Sequence, residues 1–345
     1  MSMRTKIVAA IGGVLAVAGG AFFVLSGKAE DLGISIPGIS DPVVCPFTGE
    51  EPRDEADVDR PAVALKIENA AVARPLAGLE DADLVYEELI EGGETRFMAI
   101  YHCDDARKAG PIRSARLVDP AIMSPKTKIL GYSGGNQTVV DALNEAGVVS
   151  ITEDSAGNAM RRVERPGLSL EHTLYADSSA VRKIGRKKFD EAPPDDLFAF
   201  GQMEGQSKKA SAISINFGGA SEITYKWSKG AWQRSQDGDP FVVESGDQIS
   251  VDNVLVEEHH VRASEVVDVA GTPSIEIVNE TGRGRAVLFR DGRALEGRWR
   301  RESVDDPVTF ETRGGEEMVF APGVIWIELV PSETGEVKGS FSYAK

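Results

Sequence analysis

Hydrophobic and polar positions change their spacing along the chain, and each change predicts a different kind of element. Ile7 to Ser26 (IVAAIGGVLAVAGGAFFVLS) is an uncharged, largely apolar run. At about 20 residues it is long enough to cross a hydrocarbon core as a helix. From Ala62 the apolar residues come in short blocks instead. Ala62–Ile67, bounded by Pro61 and Asn69, reads as a buried strand. Leu84–Glu87 and Arg96–Tyr101 read the same way and form a hairpin or strand–loop–strand around the Glu91-Gly92-Gly93-Glu94 turn. Asp119–Met123 predicts a short helix. Thr138–Ala146 predicts a firmer one, with Val139, Val140, Leu143 and Ala146 on one face and Gly147 as its stop. Ile129–Tyr132 and Val148–Ile151 flank it as strands, and Ser178–Phe189 predicts a further helix before Pro193-Pro194. After about Ser211 the spacing becomes two: Ile213–Phe217, Ile223–Trp227, Trp232–Arg234, Val254–Val256, Ala286–Phe289, Leu295–Trp299 and Val324–Val330 are all strand-like. Turn pairs such as Asp237-Gly238 and Asp291-Gly292 separate them.

This pattern predicts an α+β protein: an N-terminal α/β domain with a mixed sheet, then a smaller all-β domain, behind one transmembrane helix. Residues 1–6 form a cytoplasmic stub and 7–26 the membrane helix or signal anchor. Residues 27–44 are a Gly/Pro/Ser spacer, 45–190 the α/β domain, 191–209 a linker and 210–345 the β-rich domain. Arg4 and Lys6 precede the apolar run and no basic excess follows it. The positive-inside rule therefore leaves the bulk of the chain outside the cytoplasm, as a single-pass protein of the plasma membrane. A cleaved signal peptide is the rival reading; the length of the run favours an anchor.

Charge narrows the partners. With 55 Asp and Glu against 38 Lys and Arg, the formal net charge is -17, and no basic footprint for nucleic acid is visible. Solubility is the plainer account of the acidity. Cys45 and Cys103 are the only cysteines. In an exported chain such a pair is expected to be one disulfide, worth about 3–4 kcal/mol by chain-entropy reasoning.

Candidate chemistry gathers in residues 91–116, EGGETRFMAIYHCDDARKAGPIRSAR. Arginines among glycine turns suit a carboxylate or phosphate, because a planar fork and free main-chain donors can converge on it. Arg74, Arg96, Arg113 and Arg116, with Asn69 and the backbone around Gly92, Gly93, Gly134 and Gly135, form a candidate anion site. Glu68, Glu87, Glu91 and Asp119 would hold those arginines or take a divalent cation. Any one such arginine, taken alone, is more often a surface ion pair. His172 is the candidate general acid or base, although a satisfied structural histidine is the commoner fate. His259-His260 falls in a β region, where neighbours face opposite ways, which disfavours a metal pair. No zinc-protease, nucleophile-elbow, Walker A or EF-hand motif is present, so no cofactor or resident metal is expected. Gly282-Arg283-Gly284 reads as a turn.

Several of these segments, namely Pro46–Gly49, Ile67-Glu68-Asn69, Ala82–Glu87, Glu91-Gly92-Gly93, Gly110–Arg116, Gly134-Gly135, Val251–Val254, Gly297-Arg298-Trp299 and Pro322–Ile327, resemble the YerB-type bacterial lipoprotein family, with its N- and C-terminal domains of unknown function (DUF3048). The resemblance runs from Cys45 to Pro331. It includes His172-Thr173-Leu174-Tyr175, where Glu171 and Thr173 depart from the family's Pro and Asn. It lacks the family's lipid-attachment cysteine, and the apolar run stands in its place. No activity comes with the resemblance. The expected function is therefore binding of an anionic envelope ligand or an envelope protein by a membrane-anchored extracytoplasmic protein. The alternative is an envelope enzyme performing phosphotransfer or hydrolysis on a phosphorylated or glycan substrate. A reporter enzyme fused after Lys345 is expected to be active outside the cytoplasm; activity inside would end this topology.

Overall fold

A computed structural model describes residues 42–203, 205–267 and 271–345. The apolar run at residues 7–26 and most of its spacer lie outside them. No helix among the described residues is long and apolar enough to cross a membrane.

Strand β1 (Val63–Glu68) pairs antiparallel with β3 (Thr95–Tyr101), which pairs in turn with β2 (Leu84–Leu89). The β2–β3 hairpin and the strand at residues 62–67 thus form where the apolar blocks predict them. On the far side of β1 lie β4 (Ile129–Gly131) and β5 (Val149–Ile151), both parallel. Helix α1 (Asp119–Met123) precedes β4, and α2 (Gln137–Glu145) crosses from β4 to β5. Asn136 caps α2 by accepting from the Val139 N–H at 2.9 Å, while Val139 and Leu143 are buried beneath it. Two further helices, α3 (Glu153–Ala156) and α4 (Ser178–Gly185), complete this half. α4 stops short of the expected Phe189, and the Lys188 and Phe189 N–H groups both turn back onto the Gly185 carbonyl.

Among the described residues 210–345 no helix is found. Strands β6 (Ala212–Asn216), β7 (Ile223–Ser228) and β8 (Ala231–Gln236) form a meander. Strands β9 (Asn253–His259), β10 (Gly282–Arg290), β11 (Arg293–Arg301), β12 (Thr309–Thr312), β13 (Ile325–Pro331) and β14 (Ser340–Ala344) follow. Gly282–Gly284 belongs to β10, not to a turn. Gly284 lies under Trp299 of β11, where an added Cβ would meet the indole at 2.3 Å.

The two halves share one 11-stranded sheet, ten of whose strands run in the order β12-β11-β10-β9-β13-β2-β3-β1-β4-β5, joined by the parallel pairing of β13 with β2. A second sheet of six strands, built on β8-β7-β6-β14, covers one face. Residues 191–209, expected as a linker, take part in pairing: Ala199–Phe200 runs parallel to Val319–Phe320, and Lys208–Lys209 joins β11. Alternation along the strands sorts the core. Val63, Leu65, Ile67, Val85, Phe97 and Trp326 pack toward the second sheet with Ile213, Tyr225 and Trp232. Ala64, Leu84, Met98 and Ile100 pack toward the helices with Val118, Ile122, Val139 and Leu143.

Cys45 and Cys103 form the expected disulfide, with Cα atoms 6.1 Å apart. Beside it His102 is fully buried, edge-on to Phe47, and its Nε2 donates to the Arg60 carbonyl at 2.9 Å. Burial, reinforced by Arg182 and Arg60, lowers its pKa to about 4. The unfolded chain therefore takes up a proton that the folded chain refuses between about pH 6.5 and 4. Stability is expected to fall across that window on acidification, and His102→Asn is expected to flatten that part of the curve in urea titrations at stepped pH. An unchanged slope would mean that His102 is protonated in the folded state.

Candidate functional site

β1, β2 and β4 end along the same edge of the sheet, where β3 begins. Ligand sites in open parallel sheets favour such carboxyl ends. In register, Glu68 of β1 and Glu88 of β2 both stand opposite Arg96 of β3. All three are buried on the helix-covered face, as is Lys66 two residues before Glu68. The segment Pro111–Arg116 closes over them. Its Arg113 N–H donates to the Lys66 carbonyl at 2.8 Å, and Ala115 N–H donates to the Gly134 carbonyl at 2.9 Å. Ser133 N–H returns a bond to the Arg113 carbonyl at 2.9 Å. The Gly134-Gly135 loop thus joins the end of β4 to the arginine segment, and Gly134 takes φ 134°, a value suited to glycine.

Three of the four expected arginines come together here. Arg116 is neutralised by Glu91, with Nε at 2.8 Å and Nη2 at 2.5 Å from its carboxylate. Its backbone N–H is held by Asp119 at 2.7 Å. Arg113 Nη1 donates to Glu171 at 3.1 Å, while its Nε lies 3.9 Å from Glu68. Arg96 is different. It is 4% exposed, its Nη1 donates to the Ser114 carbonyl at 2.9 Å, and its Nε, like that of Arg113, is buried without a hydrogen-bond partner. Among the described residues it makes no ion pair. Burial, with Arg116 and Arg113 close by, lowers its pKa to about 9 against the pull of Glu91 and Glu88.

His172 joins the cluster from the far side of the sequence. Its Nδ1 donates to Glu68 at 2.8 Å, and its Nε2 lies 3.6 Å from Glu171. Burial raises the Glu68 pKa against the pull of His172 and Arg113. The arrangement is a carboxylate orienting an imidazole beside two guanidiniums, suited to holding an anion or to moving a proton next to one.

Other expected residues lie elsewhere. Asn69, Glu87 and Arg74 face the second sheet; for Asn69 and Glu87 the reason is that one residue along a strand changes the face, while Arg74 follows the 3-10 turn Ala71–Ala73. Asn69 Nδ2 donates to Glu87, Thr95 and Gln236, and Arg74 donates to Asn69. Gly92 and Gly93 both take φ 75°, and an added Cβ on Gly93 would come within 3.0 Å of Gly219. Their observed work is turning and close packing. Among the described residues no group of three or more His, Cys, Asp or Glu is arranged to hold a metal ion.

Sequence reasoning missed Lys66, Glu88 and Glu171. Lys66 Nζ donates to Glu88 and, at 2.5 Å, to Asp119, with all three side chains buried. The signal was available: a lysine and a glutamate inside apolar blocks, at positions whose alternation points inward. Burial raises the Glu88 pKa to about 7, with Asp119 adding to it and Lys66 opposing it.

Taken together, these features define an α+β protein with an arginine-rich cluster of buried and half-buried charges at the carboxyl edge of a shared sheet. The description "Protein of unknown function (DUF3048) N-terminal domain" matches residues 47–191, and the corresponding C-terminal domain matches 213–327. The chain belongs to this family. It is 26% identical over 328 residues to YerB of Bacillus subtilis (strain 168), named as a candidate lipoprotein, covering 90% of this chain and 92% of that one. The crystal structure of YerB protein from Bacillus subtilis superposes with a TM-score of 0.69 at 24% identity, over 87% of this chain and 99% of that one, and so shares the fold.

Replacing Lys66 with Met leaves two buried carboxylates without their cation. A loss of about 3–5 kcal/mol is expected in urea unfolding. A loss below about 1 kcal/mol would mean that Glu88 takes up a proton instead.

Proposed function

We propose that this protein binds an anionic, phosphate- or carboxylate-bearing component of the cell envelope at the Arg96–Arg113–His172 cluster. Arg96 carries the reading. A guanidinium withdrawn from water, without an ion-pair partner among the described residues, and beside two like charges that Glu91 and Glu88 offset only in part is costly to keep. An arriving anion removes that cost. In this reading residues 7–26 anchor the chain and the folded part lies outside the cytoplasm. The apolar run and the lipoprotein name of the Bacillus relative both support attachment to a membrane.

A second reading, hydrolysis of a phosphate ester, is favoured by the Glu68–His172 bond of 2.8 Å. With Nδ1 occupied, Nε2 is the nitrogen left to accept a proton from a water attacking phosphorus as the ester P–O bond breaks. Arg96 and Arg113 would then stabilise charge on the phosphoryl oxygens.

Inorganic phosphate is the first probe. At one hundred times its Kd it should add about 2.7 kcal/mol to stability, read as a rise in melting temperature. Arg96→Met is expected to raise the melting temperature of the unliganded protein while abolishing the phosphate shift, the trade-off of a site kept for function. A lowered melting temperature with the phosphate shift intact would make Arg96 structural and sink the proposal. For the second reading, p-nitrophenyl phosphate should be hydrolysed by the wild type and not by His172→Gln, with the phosphate shift retained in both. No turnover in the wild type leaves binding alone.

A further inference from the structure

We infer that Glu171 is a tethered occupant of the anion site, and that the external ligand is a phosphate-type dianion that displaces it from between Arg113 and His172. This rests on the binding reading above and specifies its ligand.

Glu171 sits on the 3-10 turn Leu170–His172, at the end of an exposed loop containing Gly167 at φ 85°. One carboxylate oxygen, Oε2, accepts from Arg113 Nη1 at 3.1 Å. The other, Oε1, accepts from Ser169 Oγ at 3.1 Å and lies 3.6 Å from His172 Nε2. The Glu171 side chain is 56% exposed, against 22% for Arg113 and 11% for His172. A solvated carboxylate therefore lies across two largely buried nitrogens. The Arg116–Glu91 pair differs, because there both side chains are largely buried, at 15% and 8%. Glu91 can leave only if the turn carrying it rearranges. Glu171 can leave by rotating its own side chain into water.

The same geometry selects the ligand. A free monocarboxylate could only replace Glu171 like for like, against a competitor held at high effective concentration by its tether. A phosphate offers a second negative charge and a third oxygen. It can span Arg113 and His172 as Glu171 does and still present charge to Arg96, which makes no ion pair among the described residues and whose charge Glu91 and Glu88 offset only in part. Arg113 and Arg96 put two guanidiniums beside that position, while Glu68 is already engaged by His172. Glu171 would thus act as a filter against simple carboxylates.

Calorimetric titration of the full chain with inorganic phosphate and with acetate tests this. Wild type is expected to bind phosphate and to give no heat with acetate. Glu171→Gln is expected to bind phosphate about three- to tenfold more tightly and to acquire measurable acetate binding. If Glu171→Gln has unchanged or weaker phosphate affinity and still refuses acetate, the tether inference is wrong, while phosphate binding lost in Arg113→Ala would leave the site reading standing. If neither wild type nor Glu171→Gln binds phosphate, both fall. A Glu171→Asp control, which keeps the charge on a shorter arm, should lie between wild type and Glu171→Gln for phosphate.

Discussion

The parallel pairing of β2 with β13 is the contact on which the rest of the molecule depends. It aligns Leu84 with Ile325 and Tyr86 with Ile327, so that one sheet runs through both family segments. It also sets Glu87 directly opposite Glu328, two buried carboxyl groups side by side. Burial, and then Glu87, push the Glu328 pKa well above the carboxylate range. One of the pair therefore keeps its proton. Arg234 of β8 lies beneath them, 2.8 Å from Glu87, and Tyr225 of β7 donates to Glu328. Two strands distant in sequence and a covering sheet are thus fastened by a single polar knot.

Comparison of that knot with the cluster on the opposite face separates structural charge from functional charge. Arg234 and Arg96 are both buried arginines. Arg234 has a carboxylate, the Gln236 amide oxygen at 3.2 Å, and the Phe241 ring 4.2 Å away. Its pKa is raised despite full burial, with Glu87 the largest cause working against desolvation. Both arginines leave Nε without a hydrogen-bond partner, but Arg96 has one carbonyl acceptor and no carboxylate at ion-pair distance among the described residues, and burial with Arg116 and Arg113 outweighs the pull of Glu91 and Glu88, so its pKa falls. A buried cation is structural where its surroundings already favour the charge. Where they oppose it, something absent from the chain is the natural complement.

Much of the fold was legible because it is written in local periodicity. The strands of both halves, the α1 helix and the Asn136-capped α2 helix follow from apolar spacing and flanking residues. The disulfide followed from having two cysteines in a chain whose apolar N-terminal run reads as an export signal or anchor. What the sequence could not convey is which face of a strand meets which layer. Glu68 and Asn69 are neighbours, yet one joins His172 and the other Gln236, because the covering layers come from segments far along the chain. For the same reason Arg74 looked like a partner of Arg113 and is not. The pairing of β2 with β13 spans most of the chain, and no local pattern announces it. That is why a linker at 191–209 looked plausible from composition, although parts of it pair with β11 and with Val319–Phe320. Lys66 and Glu88 were readable in principle, since a charge at an inward position of a buried strand must have a partner.

The site's position follows from the same constraints. A sheet edge at which β1 and β4 end in parallel leaves the last backbone groups of both strands to be met by loops rather than by further pairing. Those loops are where charged side chains can be held without solvent on every side. Here the loop after β4 is glycine-rich and hydrogen-bonded to the arginine segment. Asp119 fixes that segment from below through the Arg116 N–H, and Lys66 holds Asp119 in turn. Arg113 and Arg116 are therefore placed by a chain of contacts beginning at a buried lysine in β1, and do not depend on their own flexible side chains to find the site. The apolar contacts between α1, α2 and the sheet give that chain a rigid base, and disulfide and core together can carry the cost of leaving Arg96 unpaired. The burial that makes Arg96 expensive to keep also makes an arriving anion's interaction with it strong, since both effects arise from the same exclusion of water.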